Sequence, residues 1–202
     1  MLPEITATLP ALAATALAAY FLGAVPFGIV IARLFGLGDL RNIGSGNIGA
    51  TNVLRTGNKL AAFLTLILDS GKGAIAVLTA RHFVGEDAAQ LAGFAAFLGH
   101  CFPVYLGFKG GKGVAIFLGT LLALSFPLGL AACTTWVITA AIFRISSLSA
   151  LTAAALAPLW AAVWGAPQFI ALFLGLAALI FLRHKENITR LMTGDEPRIG
   201  KK

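Results

Sequence analysis

Three short polar stretches hold the residues able to do chemistry. The first is Arg41-Asn42-Ile43-Gly44-Ser45-Gly46-Asn47-Ile48-Gly49-Ala50-Thr51-Asn52-Val53-Leu54-Arg55. Its glycines let successive backbone N–H groups converge on an anion. Ser45, Asn47 and Asn52 add neutral donors, and Arg55 adds a fork suited to phosphate. Gly44, Gly46 and Gly49 satisfy G-x-G-x-x-G, with Asp69 falling 20 residues on. The dinucleotide reading still fails, because that motif needs a strand before it and a crossover unit around it. The second stretch, Gly107-Phe108-Lys109-Gly110-Gly111-Lys112-Gly113, has Leu106 where a nucleotide loop needs glycine and Gly113 where it needs Ser or Thr, so no ATP site is expected. Lys109 and Lys112, held among glycines at the start of a helix, still make an anion site, since a helix N-terminus is electropositive. A topology anchor alone would explain the lysines but not the glycines. The third stretch runs from Arg183 to Arg190. In it His184 and Asn187 are spaced to share one helical face, and a histidine there handles a proton near neutral pH.

Asp69 and Lys72 lie inside an apolar run. Either charge at mid-bilayer costs about 2.5–3.5 kcal/mol, so the pair is a functional candidate by default. Mutual pairing as a structural bridge is the competing reading. His82 and Asp87 fit His-x4-Asp, a signature of glycerolipid acyltransferases, but fall on the side away from the three stretches and read as a chance match. Cys101 and Cys133 sit in apolar runs without CxxC spacing, so neither a disulfide framework nor a metal site is expected.

The elements that must position these residues are membrane helices. The chain has 202 residues, 58% apolar and only 11% charged, against about 25% charged in a soluble domain. Mean hydropathy is +0.90. One polytopic membrane domain over residues 1–202 is expected, not a soluble, disordered or fibrous chain. The net charge of +7 therefore points to loops and an anionic substrate, not to nucleic acid.

Uncharged runs place the spans. Ala11–Ala32 is the first, with a kink expected at Pro26; Glu4 and no Lys or Arg precede it, so a retained helix is expected rather than a secretory signal. Leu60–Ala80 and Ala88–Phe108 follow. Gly113–Phe143 spans 31 uncharged residues, about 46 Å as one helix and too long for a ~30 Å core. It divides at Pro127 and Gly129. Leu148–Leu182 divides likewise around Gly165 and Pro167. An all-α bundle of seven transmembrane helices results, some of them short or broken. With seven spans, 13 of the 15 Lys and Arg residues share one side. The N-terminus is then outside, and the C-terminus and all three polar stretches are cytoplasmic.

In this order and on this topology, the stretches resemble the bacterial acyl-phosphate:glycerol-3-phosphate acyltransferase (PlsY) family. GSGNIGATNVLRTGNK in the first loop carries most of the likeness, with LDSGKG, FKGGKGVA, the Ile-Ser-Ser-Leu-Ser stretch and RHKENI at the expected places. The resemblance implies an enzyme of the bacterial cytoplasmic (inner) membrane, its active site facing the cytoplasm. Such an enzyme moves a fatty acyl group from acyl phosphate to the 1-hydroxyl of sn-glycerol 3-phosphate, giving lysophosphatidate and phosphate. It implies no cofactor and no metal. The partners are the two substrates and the bilayer, with a monomer as the expected unit. By motif, the essential serine and arginine fall on Ser45 and Arg55, and the histidine and asparagine on His184 and Asn187. Substrate-binding positions fall on Gly110, Gly111, Lys112 and Gly113, on Ser147 and Ser149, and on Glu186. Gly46, Asn47, Asn52, Asp69, Lys72 and Lys109 join them from the reading of the loops. The rival reading is a small anion or phosphate transporter using the same cationic loops.

Overall fold

The computed structural model describes residues 3–200. Among these the chain is helical and contains no strand. The first run forms α1 (Leu9–Ala24) and α2 (Phe27–Leu34), broken at Val25–Pro26. Proline has no N–H to continue the ladder, and at this break the carbonyl of Val25 accepts from Phe27 N at 3.1 Å and from Lys72 Nζ at 2.8 Å. The first polar loop contains one short helix, α3 (Ala50–Leu54). Then come α4 (Lys59–Phe83), α5 (Glu86–Cys101), α6 (Val114–Leu124), α7 (Phe126–Phe143), α8 (Ser146–Val163), α9 (Ile170–Arg183) and α10 (Lys185–Thr193).

A helix stands at each of the seven expected positions, and the two long runs break near Pro127 and Pro167 as their lengths require. Fewer than seven qualify as spans by length and apolarity. Five helices pass among the described residues, and a sixth does if α9 and α10, bent by 64°, are taken together. The exception is α6, whose 11 residues rise only about 16 Å, half the bilayer core. It is confined between the loop Gly107–Gly113, which lies beside the end of α5, and the break at Ser125 before α7.

Small residues let the helices approach closely, as in membrane bundles generally. A Cβ on Gly23 of α1 would sit 2.0 Å from the Ala96 carbonyl oxygen of α5, and one on Gly99 of α5 would sit 2.1 Å from that of Tyr20. On the α4–α6 seam, a Cβ on Gly119 would meet the Ser70 carbonyl oxygen at 2.1 Å. Phe97, Phe117, Phe173, Leu176 and Ile180 fill the centre. Outward faces carry large apolar side chains, among them Leu17, Ile75, Leu130 and Ile142.

The two ends of the bundle differ. At one, Arg81 bridges Glu86 and donates to the carbonyls of Ala123 and Leu124, closing the end of α6. Nearby, Asp87 accepts from the backbone N–H groups of Thr6, Ala7 and Ala88. Asp87 is thus a cap, and His82 stacks edge-on against Phe83, so the His-x4-Asp match has no catalytic geometry. At the other end the three polar stretches meet.

Candidate active site

The meeting point is a cavity of about 510 Å³. Its polar wall comes from the first loop, the start of α6, the start of α8, the α9–α10 corner and the segment after α10.

Asn52 organises the first loop. It is buried, and its Nδ2 donates to the carbonyls of Leu40 and Ile43, both at 2.9 Å. Its Oδ1 faces the backbone N–H of Ser45 at 3.1 Å, the Ser45 hydroxyl at 3.4 Å and Arg55 Nη1 at 3.3 Å. One side chain therefore holds both family-motif residues of this loop against the cavity. Asn47 also lines the cavity and caps its neighbour, with Oδ1 accepting from Ile48 N at 2.9 Å. Gly46 lies off the wall, its N–H donating to the Ile43 carbonyl.

The second loop works differently from a nest. The N–H groups of Gly110 and Gly111 donate to the Cys101 and His100 carbonyls at the end of α5, so they are not free for an anion. What these glycines supply is space: a Cβ on Gly110 would meet the His100 carbonyl oxygen at 2.2 Å, and one on Gly111 would meet His100 Nε2 at 2.2 Å. Their carbonyls are pinned by Arg183, whose Nη2 and Nε donate at 2.9 and 3.1 Å. Gly113, at φ +83°, turns the chain so that α6 begins on the wall. The first N–H groups of α6 have no intrahelical partner, and Val114 and Ala115 line the cavity with Lys112. The electropositive helix start, not the glycine pair, is what faces the cavity. Lys109 is exposed and off the wall.

Lys112 Nζ donates to Asn187 Oδ1. Asn187 Nδ2 donates to Glu196 Oε1 at 2.6 Å, Ser147 Oγ to the same oxygen at 2.7 Å, and Arg190 Nε to Oε2 at 2.7 Å. Glu196 thus ties α8, α10 and Lys112 into one network. Burial raises its carboxyl, but the hydrogen bonds from Ser147, Asn187 and Arg190 and the nearby guanidinium prevail and hold it below the usual range. Burial, helped by Arg190, lowers Lys112. The motif expectation placed the family glutamate on Glu186, which is exposed; Glu196 is the glutamate with contacts here. Ser149 is buried but bonds back to the Ile145 carbonyl at 2.8 Å, away from the cavity.

His184 is buried at the α9–α10 corner. Its Nδ1 lies 2.8 Å from the Ile180 carbonyl oxygen. A carbonyl only accepts, so Nδ1 carries the hydrogen and Nε2 of the neutral ring keeps its lone pair. Burial is the main force lowering its pKa, with Lys112 and Arg183 adding to it, to about 4.

Deeper in the bundle, Asp69 pairs with Lys72 at 2.8 Å, and His100 Nδ1 stands 3.6 Å from the same Asp69 oxygen. Asp69 and His100 reach the cavity, whereas Lys72 does not. It is a strut joining α4 to the α1–α2 break. His100 and Glu196 were missed as site residues. The isolated acidic pair Asp195-Glu196 in a basic tail was the one available signal for the latter.

Apart from Lys59, Thr51 and Ser146, the rest of the wall is largely apolar, with Phe63, Leu66, Leu118, Trp136 and Val137 among its residues. Phe63 and Val137 are 56% and 58% exposed, so this side opens towards lipid. A cationic, donor-rich end joined to an apolar trough fits an amphiphile with an anionic head.

Comparison with known proteins decides the family. Residues 13–194 match the model for glycerol-3-phosphate acyltransferase. The chain belongs to the glycerol-3-phosphate acyltransferase family. Curated family members share 71% identity in Jannaschia sp. (strain CCS1), over 100% of this chain and 99% of the relative. In Cereibacter sphaeroides (strain ATCC 17025 / ATH 2.4.3) the figure is 67%, over 100% and 96%. Two crystal structures of PlsY (YgiH), an integral membrane glycerol 3-phosphate acyltransferase, share the fold. The glycerol 3-phosphate form is 43% identical with TM-score 0.89, covering 94% of this chain and 96% of that one. The lysophosphatidic acid form is 42% identical with TM-score 0.87, covering 94% and 95%. This member of the glycerol-3-phosphate acyltransferase family is accordingly an integral membrane acyltransferase.

Proposed function

We propose that the protein transfers a fatty acyl group from acyl phosphate to the 1-hydroxyl of sn-glycerol 3-phosphate, releasing lysophosphatidate and phosphate. One observation carries this reading: a single cavity joins phosphate-suited donors to an apolar trough that opens sideways. Family membership supports the acceptor. The seven-helix topology, with the cavity at the cytoplasmic end, belongs to the same proposal and rests on the distribution of Lys and Arg.

The chemistry asks little beyond placement. The acceptor hydroxyl oxygen bonds to the acyl carbonyl carbon, the bond from that carbon to the phosphate oxygen breaks, and phosphate leaves with its electron pair. Arg55, Lys112 and the start of α6 stabilise the phosphate charge, while Ser45, Ser147 and Asn187 orient oxygens. Holding the two substrates together supplies the remaining rate.

His184 is neutral at pH 7 and a weak base. We assign it the acceptor role: its Nε2 takes the hydrogen bond of the glycerol hydroxyl and aims the oxygen. The proton passes to a substrate phosphate, whose second pKa is about 6. A covalent acyl-Ser45 step has no support, since the polar neighbour of the hydroxyl is Asn52 Oδ1, which cannot act as a base.

The test is purified protein with labelled glycerol 3-phosphate and palmitoyl phosphate. Lysophosphatidate is the expected product. Its absence in several lipid environments overturns the reading, and uptake of label into liposomes favours the transporter.

A further inference from the structure

The site must hold two phosphate groups at once, and the mechanism above leaves one cation on the wall unused. Lys59 opens α4 and lines the cavity. It is exposed, and among the described residues it forms no ion pair. Arg55 is held by Asn52 and Lys112 by Asn187; Lys59 has no such tether.

Its helix face is what sets it apart. Phe63 and Leu66 stand four and seven residues on, along the same side of α4. Both line the cavity, and both are open to the surroundings, 56% and 42% exposed. The stripe from Lys59 to Leu66 runs roughly 10 Å down the helix. Cys133, Trp136 and Val137 of α7 face it, and Leu118 of α6 lies between. Both α4 and α7 pack against α6, which leaves a trough between them open to lipid. A cation at the rim above an apolar trough fits one molecule with a phosphate head and a hydrocarbon tail. Glycerol 3-phosphate has no tail and cannot use the stripe.

We infer that Lys59 receives the phosphate of the acyl donor as it enters sideways between α4 and α7, making Lys59 a determinant of donor rather than acceptor binding. This rests on the acyl-phosphate reading above. A bilayer phospholipid offers the same headgroup chemistry, so the experiment separates the two sources.

Lys59→Gln and Lys59→Arg are compared with wild type in nanodiscs of purely zwitterionic and of anionic lipid. For Lys59→Gln, KM for palmitoyl phosphate is expected to rise roughly tenfold, the loss of one charge-assisted contact, while KM for glycerol 3-phosphate moves less than about twofold. The rise occurs in both lipids, and Lys59→Arg reverses most of it. Equal rises in both KM values overturn the inference, as does a rise confined to anionic discs, which assigns Lys59 to bilayer lipid. Unchanged kinetics in Lys59→Gln beside an active wild type overturns this inference alone. A wild type that makes no lysophosphatidate overturns the acyl-phosphate reading and the inference with it.

Discussion

His184 shows how a residue's surroundings revise what its type promises. By type it is a proton carrier near neutral pH; buried beside Lys112 and Arg183, it is held neutral down to about 4. The folded protein then binds fewer protons than the unfolded chain between about 4 and the ordinary 6.5. Stability is fully present above the upper value and is lost as pH falls through this window. Histidine-labelled protein, assigned by its Lys- and Arg-preserving variant His184→Gln, is expected to show the His184 ring titrating near 4 by NMR, and a midpoint between about 6 and 7 refutes the buried neutral ring. The acid limb of kcat/KM is expected near pH 6, where substrate phosphate titrates. Whatever activity His184→Gln retains should keep that limb; a limb that moves makes His184 the base. The spacing of the three stretches was enough to nominate Ser45, Arg55, Lys112, His184 and Asn187, because local motifs mark them. It could not show that the Gly110 and Gly111 N–H groups are consumed by α5, or that Glu196 ties Ser147 to Asn187. Those bonds join segments far apart in the chain, and no local pattern encodes them.

Elements place those residues through close backbone contact, so glycines differ sharply in what they tolerate. Gly119 lets α6 lie against α4, and a Cβ there meets main chain at 2.1 Å, whereas one on Gly175 of α9 meets only the Phe94 ring at 3.5 Å. Main chain cannot rotate away, but α6 can tilt, carrying Val114, Ala115 and Lys112 with it. Gly119→Ala is therefore expected to lower thermal stability by several degrees and cut turnover by roughly tenfold or more, since displacements near 1 Å are costly. Gly175→Ala should stay near wild type in melting temperature, because alanine is the better helix former. Equal behaviour of the two removes the seam from the argument. Most element positions were legible from charge-free runs and their prolines. The end of α5 at Cys101 was not, because hydropathy counts the apolar residues up to Phe108 alike whether they build a span or a loop. The α1–α2 break was visible at Pro26; that Lys72 would bond the Val25 carbonyl there was not, since two helices must be docked before the donor and acceptor meet.

At the scale of the whole molecule, charge asymmetry is the strongest statement the chain makes about itself. The three polar stretches share one end of the bundle, and the Arg81–Glu86 bridge and the Asp87 cap share the other. Moving one Lys or Arg across the membrane is costly, and clusters of them stay in the cytoplasm. Soluble glycerol 3-phosphate must also reach the cavity from an aqueous side. Both considerations support the proposal that the cavity end faces the cytoplasm. Two exposed positions at opposite ends test this. Glu4 precedes α1, and Met192, 84% exposed, lies on α10. In a background with Cys101 and Cys133 replaced by alanine and activity retained, Glu4→Cys is expected to react with a membrane-impermeant maleimide in intact spheroplasts. Met192→Cys should react only after permeabilisation. The reverse pattern inverts the bundle and would place the cavity on a face where a cytoplasmic acceptor could not reach it.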